Sequence, residues 1–337
     1  MATLRKPRLL GLALPGGGTQ GAFSWGVLDA LLEDGRFELD AISAVGAGAV
    51  NAVLLSSALQ GGREAARASL TRFWRAVAFD HSEDAPVFPP SRLNEDSFAE
   101  VLVPFDGETV HPLARLRDLL LRTVDFNALG KSSVRVLVSS TNIGSGSGRL
   151  RVFDSRRVPM TPESLVASVC TPFTSHPVQI DGSAYWGDGL GGNPPLFPLI
   201  YEAVSADILL LQLPPAHQGS QPNTAQEIFE RVNDLALSAS LAAELRSIEF
   251  VQGLVSKGQL DPRQYKPLLM HFIDGTAAIA KVAGVGSASR ERADPDHLQA
   301  LFLADRAAAS DWLWTHGDSV GRRSTMDVRG YISSLKV

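Results

Sequence analysis

Short apolar segments alternate along the chain with segments in which apolar residues are three and four positions apart. The first kind is apolar almost without interruption, which is typical of strands covered on both faces of a sheet. These strand-like segments are Leu9–Leu14, Ala41–Val45, Val134–Thr141 and Ile208–Leu213. The second kind has the spacing of amphipathic helices. These segments are Gly21–Leu32, Ala47–Leu59 and Arg63–Val77. The alternation predicts an α/β layered fold whose central, mostly parallel sheet has helices on both faces.

Two regions depart from this alternation. Phe79–Leu113 holds five prolines and no sustained period, so we expect a lid-like insertion that covers a site. Further along, Thr224 and Glu227 have the spacing of a capping box, which predicts a long helix to about Lys257. Pro295–Trp314 is expected to be the last helix. We therefore predict a sheet domain over 1–215, with its lid at 79–113, and a mainly helical C-terminal extension packed on it over 216–337.

The longest uncharged stretch is Ala41–Gly62, which has the length of a membrane span. Polar residues and four glycines interrupt it, so a strand, a turn and a helix are the better interpretation. The apolar stretch near the N-terminus, Leu9–Leu14, is too short for the apolar region of a signal peptide and is interpreted as a first strand.

Charge and cysteine content exclude several functions. The net charge of the 337 residues is −5, which gives no basic surface for binding nucleic acid. Cys170 is the single cysteine, so an internal disulfide and a multi-cysteine metal site are excluded. A reducing compartment, the cytoplasm, is therefore expected. The seven histidines show no paired metal spacing, and we expect neither metal nor cofactor.

A glycine-rich loop follows the first strand and precedes the first helix. Consecutive backbone N–H groups at such a helix start stabilise negative charge, either a phosphate or an oxyanion. The glycines are Gly16, Gly17, Gly18 and Gly21. Their spacing also matches a dinucleotide fingerprint, with Asp40 as the acidic partner. A nucleotide- or phosphate-binding module is therefore one hypothesis.

A second motif lies where the next strand turns into a helix of small residues. The sequence Ala44-Val45-Gly46-Ala47-Gly48 has the layout of a nucleophile elbow, but glycine stands at the centre where an elbow carries its nucleophile. The third motif is a loop with four glycines around Asp188, followed by Asn193-Pro194-Pro195. Taken alone, an aspartate in such a loop is most often a turn residue.

In this order, the three motifs resemble those of the patatin-like phospholipase family. The family pattern has a glycine-rich oxyanion loop, an elbow G-T-S-x-G and a distal D-G-G/A. The resemblance implies a patatin-like fold and acyl-ester hydrolysis by a serine–aspartate dyad, in which aspartate activates the serine. It places Gly16, Gly17, Gly18 and Gly21 in the oxyanion loop. Gly46 stands at the position of the missing nucleophile and Gly187 at that of the missing dyad aspartate, while Asp188 is displaced by one position.

These departures lead to three hypotheses. The first is a catalytically inactive or strongly impaired patatin-like chain that binds a lipid or acyl chain, or serves as a scaffold for a partner protein. Peripheral contact with a membrane and a homo-oligomer are compatible with it. The second is an active acyl hydrolase that uses a non-standard nucleophile or an activated water. The third is the phosphate-binding module. Under the first hypothesis, Gly46→Ser combined with Gly187→Asp and Asp188→Gly is expected to restore more hydrolysis than Gly46→Ser alone.

Overall fold

In the part of the chain that the computed structural model describes, eight strands form one sheet. The described residues are 8–80, 87–88, 113–144, 149–172, 175–187, 189, 191–213, 221–283 and 292–334. The strands are β1 (Arg8–Leu14), β2 (Phe37–Ala44), β3 (Arg135–Asn142), β4 (Arg149–Asp154), β5 (Val178–Ile180), β6 (Ser183–Trp186), β7 (Asp207–Gln212) and β8 (Leu269–Asp274). Strands β3-β2-β1-β7-β8 are parallel neighbours, while β4 and β6 pair antiparallel with β3, and β5 with β6. The predicted mostly parallel sheet is confirmed.

Helices cover both faces of this sheet. They are α1 (Ala22–Asp34), α2 (Gly46–Ala58), α3 (Arg63–Asp80), α4 (Ala114–Thr123), α5 (Phe126–Leu129), α6 (Pro162–Val169), α7 (Phe197–Glu202), α8 (Ala225–Ser256), α9 (Thr276–Ala283), α10 (Pro295–His316) and α11 (Val328–Ser334). None of the described helices combines the length and the apolar character that a membrane span requires.

The core is divided by the sheet because neighbouring residues of a strand point to opposite faces. On one face, Leu12 and Leu14 of β1 pack in a large cluster with residues of α1, α2, α3 and α10. On the other face, Ala13 belongs to a smaller cluster with residues of α7, α8 and α11.

Several expectations need correction in detail. The second strand ends at Ala44 and the next helix begins at Gly46, one residue earlier than expected. The helix near the C-terminus is followed by α11, so it is not the last. The part after residue 216 supplies β8 to the sheet as well as helices. Most of the predicted lid at 79–113 lies outside the described residues, and its position stays a prediction.

A buried polar network fixes the segment before α11 to the edge of the sheet. The His271 ring is fully buried and its Nε2 lies 2.8 Å from Oδ1 of Asp207, while its Nδ1 lies 3.0 Å from Oγ1 of Thr325. The backbone N–H groups of Thr325 and Met326 both donate to the carbonyl of Met270 on β8. This network is a histidine with two satisfied ring nitrogens, and it ties three distant parts of the chain together.

Candidate active site

The glycine-rich loop turns from β1 into α1 through a 3₁₀ turn, Gly18–Gly21. Gly18 has a φ of 57°, in the left-handed region that favours glycine. A Cβ on Gly17 would lie 2.3 Å from Cδ1 of Leu213, and one on Gly21 would lie 2.2 Å from Cβ of Ala47. The close approach of α2 therefore requires glycine at 21, whereas a side chain at 17 would have to displace the end of the Leu213 side chain.

Asn193 holds the start of this loop in place. Its Oδ1 accepts a hydrogen bond from the N–H of Gly16 at 2.8 Å, and its Nδ2 donates to the carbonyl of Gly16 at 3.5 Å. The N–H of Gly16 is thus already engaged. The N–H groups of Gly17 and Gly18 open the helical turn, where helix geometry leaves donors without an internal partner. These two N–H groups are the ones suited to stabilise an anion.

The second motif has the backbone of a nucleophile elbow. Val45 is extended, with φ −141° and ψ 153°, and Gly46 starts α2 with a φ of 57°. A sharp strand-to-helix turn with a strained central residue is the elbow geometry. A Cβ on Gly48 would lie 2.5 Å from the carbonyl oxygen of Pro15, so that position also needs glycine. The turn therefore packs directly against the glycine-rich loop.

Position 46 faces the glycine-rich loop. A Cβ on Gly46 would lie 3.0 Å from Cα of Gly16 and 3.9 Å from the carbonyl oxygen of Ser168. The N–H of Gly46 donates to Oγ of Ser168 at 2.9 Å, and that hydroxyl donates to the carbonyl of Ser139 at 2.7 Å. A side chain at 46 would thus point at the loop, but glycine supplies no hydroxyl there.

The serines near the elbow do not replace this hydroxyl. Ser43 Oγ donates to the carbonyl of Pro195 at 2.6 Å and Ser168 is held as just described. The hydroxyl oxygens of Ser139 and Ser140 are buried and have no hydrogen-bond partner among the described residues. A nucleophilic serine needs a base within hydrogen-bond reach. No described acidic or basic side chain makes a hydrogen bond to any of these four hydroxyls.

Position 187 has no room for a side chain. The N–H of Gly187 donates to the carbonyl of Cys170 at 2.7 Å. A Cβ on Gly187 would lie 2.0 Å from the carbonyl oxygen of Ser168 and 2.6 Å from that of Ala167. An aspartate at 187 would force this backbone to shift, which argues against a gain from combining Gly46→Ser with Gly187→Asp; that gain stays a prediction. Asp188 lies outside the described residues, and its role stays a prediction from the resemblance.

The long helix α8 supports the loop that carries the third motif. Ser240 Oγ donates to the carbonyl of Gly191 at 3.2 Å. One carboxylate oxygen of Glu244 accepts from the N–H groups of Leu196 and Phe197, at 2.8 and 2.6 Å. Burial raises the pKa of Glu244, although these two hydrogen bonds act in the opposite direction. Sequence reasoning missed both contacts; the one local signal was a carboxylate on the inward side of an amphipathic helix.

Asp40 does not serve the glycine-rich loop. Its Oδ2 accepts from the N–H groups of Val204 and Ser205, at 2.5 and 2.7 Å, just before β7 begins. The acidic residue of a dinucleotide site must reach a ribose beyond the carboxyl ends of the strands. Asp40 binds at the opposite end, so the nucleotide interpretation loses its acidic partner.

The described residues also do not form a metal site or a site for a cysteine nucleophile. No group of three His, Cys, Asp or Glu side chains suitable for a metal ion occurs among the described residues. The side chain of Cys170 is buried, and its Sγ donates to the carbonyl oxygen of His176 at 3.1 Å.

One family model and several solved structures match this chain. The family model for Patatin, described as patatin-like phospholipase, matches residues 12–200. VipD from Legionella pneumophila is similar in structure, with 13% identity and a TM-score of 0.47 over 93% of this chain and 67% of VipD. No curated protein matches the chain in sequence.

Two structures of the type III effector ExoU are also similar. One has 14% identity and a TM-score of 0.40, and covers 92% of this chain but only 53% of that one. The other, ExoU in complex with SpcU from Pseudomonas aeruginosa, has 16% identity and a TM-score of 0.33, and covers 98% of this chain and 77% of that one. The family match alone spans more than half of the 337 residues, and the chain therefore belongs to the patatin-like phospholipase family.

Proposed function

We propose that this chain binds the carboxylate or ester end of a lipid acyl chain in a patatin-like site and does not hydrolyse esters through a serine intermediate. The observation that carries the proposal is Gly46, which keeps the elbow turn and faces the glycine-rich loop without a hydroxyl. The glycine-rich loop that stabilises an anion is retained, and the hydroxyl that would form a covalent intermediate is missing.

Known turnover numbers indicate how slow hydrolysis should be without a nucleophile. In the serine hydrolase subtilisin, removing the nucleophile lowers turnover by about 10⁶-fold, and the remaining rate comes from the oxyanion hole and from substrate binding. A typical enzyme turns over at about 10 s⁻¹. Turnover on the order of 10⁻⁵ s⁻¹ is therefore expected. An activated water gives no covalent intermediate and so forfeits the advantage of dividing the reaction into two easier steps.

The retained N–H groups favour an anionic or polarised oxygen. With Gly16 engaged by Asn193, Gly17 and Gly18 are the donors we assign to the lipid carbonyl or carboxylate. Leu14 and Leu213 border the loop and belong to a buried apolar cluster, against which an acyl chain held by the loop would lie. We place this function in the cytoplasm, at a lipid surface.

The test combines an activity assay with a binding titration on the full chain. Hydrolysis of p-nitrophenyl acyl esters is measured for the wild type and Gly46→Ser, and a fluorescent long-chain fatty acid is titrated into the wild type, Gly46→Ala and Gly253→Ala. We expect no turnover above about 10⁻⁵ s⁻¹ for the wild type and little gain in Gly46→Ser. A Cβ at 46 points at the loop and should weaken fatty-acid binding.

Gly253 provides the matched control for this titration. It lies in α8, and nothing is within 4 Å of a Cβ placed there, so Gly253→Ala should bind like the wild type. Wild-type turnover near 10 s⁻¹, with a contaminant excluded, would overturn the loss of catalysis. Binding of inorganic phosphate but not of fatty acid would favour the phosphate-binding module. A mass measurement by light scattering decides whether the chain forms a homo-oligomer.

A further inference from the structure

The outward side of α8 is apolar along most of the helix. Three exposed side chains near its start, Ile228, Val232 and Leu235, are spaced four and three residues apart, and Phe250 continues the same face. They are 50 to 65% exposed. Alanines 236, 239 and 243 lie between them and are also exposed. From 228 to 250 this face is about 33 Å long at 1.5 Å per residue.

The free charges beside this face are basic. Arg231 and Arg246 are exposed, and neither makes an ion pair or hydrogen bond with another described residue. Arg246 lies within the apolar face, eighteen residues and therefore five full turns after Ile228, and Arg231 lies at its margin.

The acidic side chains of α8 that the structure describes are engaged elsewhere. Glu227 caps the helix start and Asp234 is buried. Glu244 binds the start of α7, and Glu249 pairs with Arg329. Among the described side chains of α8, the outward face therefore combines apolar groups with two unpaired arginines.

The opposite side of the same helix reaches the candidate active site. Ser240 binds the carbonyl of Gly191, and Glu244 binds the N–H groups at the start of α7, which follows Asn193 by a few residues. A surface on which α8 lies flat would thus be close to the site that takes the acyl chain.

We propose that the outward face of α8 is a docking surface for an anionic phospholipid bilayer. An amphipathic helix lying in the membrane interface buries an apolar face among the acyl chains and places arginines at the level of the headgroups. Ile228, Val232, Leu235 and Phe250 supply the apolar contact, and Arg231 and Arg246 supply the attraction to negative lipids. The inference rests on the proposed function only in that a lipid ligand comes from a lipid surface.

Vesicle flotation with the full chain tests the proposal. Neutral vesicles contain phosphatidylcholine, and anionic vesicles contain phosphatidylglycerol as well. Two double variants are compared with the wild type: the glutamate pair is Val232→Glu with Phe250→Glu, and the glutamine pair is Arg231→Gln with Arg246→Gln. The glutamate pair should lower binding at least tenfold on both vesicle types. The glutamine pair should lower binding to the anionic vesicles by about 30-fold, at about 1 kcal/mol per arginine, and leave binding to neutral vesicles unchanged.

Leu303→Glu is the control. Leu303 is 55% exposed on α10, which packs on the other face of the sheet, so this variant should bind like the wild type. All the substituted side chains are exposed, and thermal unfolding verifies that each variant is folded.

Three results would overturn the inference. The first is that the wild type does not float with anionic vesicles, and the second is that the glutamate pair floats as well as the wild type. The third is that light scattering shows a dimer that the glutamate pair dissociates, which would mean that a second copy covers the face. A fatty-acid titration without vesicles separates this inference from the proposed function. If the wild type floats but binds no fatty acid, the docking surface stands and the acyl site fails.

Discussion

The positions that the resemblance assigns to the family's serine and aspartate, 46 and 187, have very different surroundings. At Gly46 the backbone already has the left-handed turn, and a Cβ would meet its nearest neighbour at 3.0 Å, a contact that a shift of a few tenths of an ångström relieves. At Gly187 a Cβ would collide with a backbone carbonyl at 2.0 Å. Position 46 therefore has room for a side chain after a small adjustment, whereas position 187 is closed by the backbone around it. We therefore expect an added side chain to be tolerated better at 46 than at 187.

Substitution at 187 should have the largest effect. Gly187→Ala forces Cβ into the backbone of Ser168, and relief requires β6 and the end of α6 to move apart. We expect the free energy of unfolding to fall by about 3 kcal/mol or more, measured by urea denaturation. Gly253→Ala is the control and should raise stability by about 0.5 to 1 kcal/mol, because alanine is the better helix former. If Gly187→Ala is as stable as the wild type, the contrast between the two positions is lost.

The bridge between the two positions should have the next largest effect. Ser168→Ala removes the hydroxyl that binds the N–H of Gly46 and the carbonyl of Ser139, and leaves both groups buried without a partner. The expected loss is about 2 kcal/mol. Ser140→Ala, which removes a buried hydroxyl without a hydrogen bond, should change stability by less than about 0.5 kcal/mol. Equal losses in the two variants would mean that the hydrogen bonds of Ser168 do not support the elbow.

Position 46 itself should tolerate a side chain at moderate cost. Gly46→Ala keeps the positive φ that alanine disfavours, which should lower the free energy of unfolding by about 1.5 kcal/mol. The same denaturation experiment measures it, and the comparison with Gly187→Ala is direct. If Gly46→Ala lowers the free energy of unfolding as much as Gly187→Ala does, position 46 also has no room for a side chain.

Glu244 should have the smallest effect and is visible mainly through pH. Burial raises its pKa, so the folded chain holds this proton more tightly than the unfolded chain. Its contribution therefore opposes folding increasingly as pH rises from the ordinary glutamate pKa, about 4.3, through the raised value. Glu244→Gln keeps an oxygen for the two N–H donors and removes this term. The unfolding free energy of the variant minus that of the wild type should rise as pH increases from 4 to 7, and a difference that stays constant would contradict the assignment.

Local pattern was sufficient for much of the fold. Mostly apolar segments predicted β1, the second half of β2, β3 and β7, because strands buried on both faces are rich in apolar residues. The capping box at Thr224 predicted the start of α8, where the structure shows both of its hydrogen bonds. The glycines at 17, 21 and 48 were likewise visible as a motif before their close contacts were known.

The rest depends on contacts that no local pattern contains. That Gly187 faces the backbone of Ser168, and that Glu244 caps a helix on another segment, are results of packing between distant parts of the chain. The short strands β5 and β6 were missed because three or four residues are too few to show alternation. Asp40 matched a fingerprint by its distance along the chain, yet its side chain lies at the wrong end of the sheet for that role.

The segment that His271 and Asp207 hold in place also shields an exposed strand. Strand β8 is the edge of the sheet, and the outward N–H and C=O of Met270 are occupied by Ser324, Thr325 and Met326. An uncovered edge strand is a template on which another chain can add by β-pairing. Residues 324–326 therefore cover the edge of the sheet at Met270. We expect a substitution that breaks the buried histidine network to expose this edge and to lower the solubility of the protein.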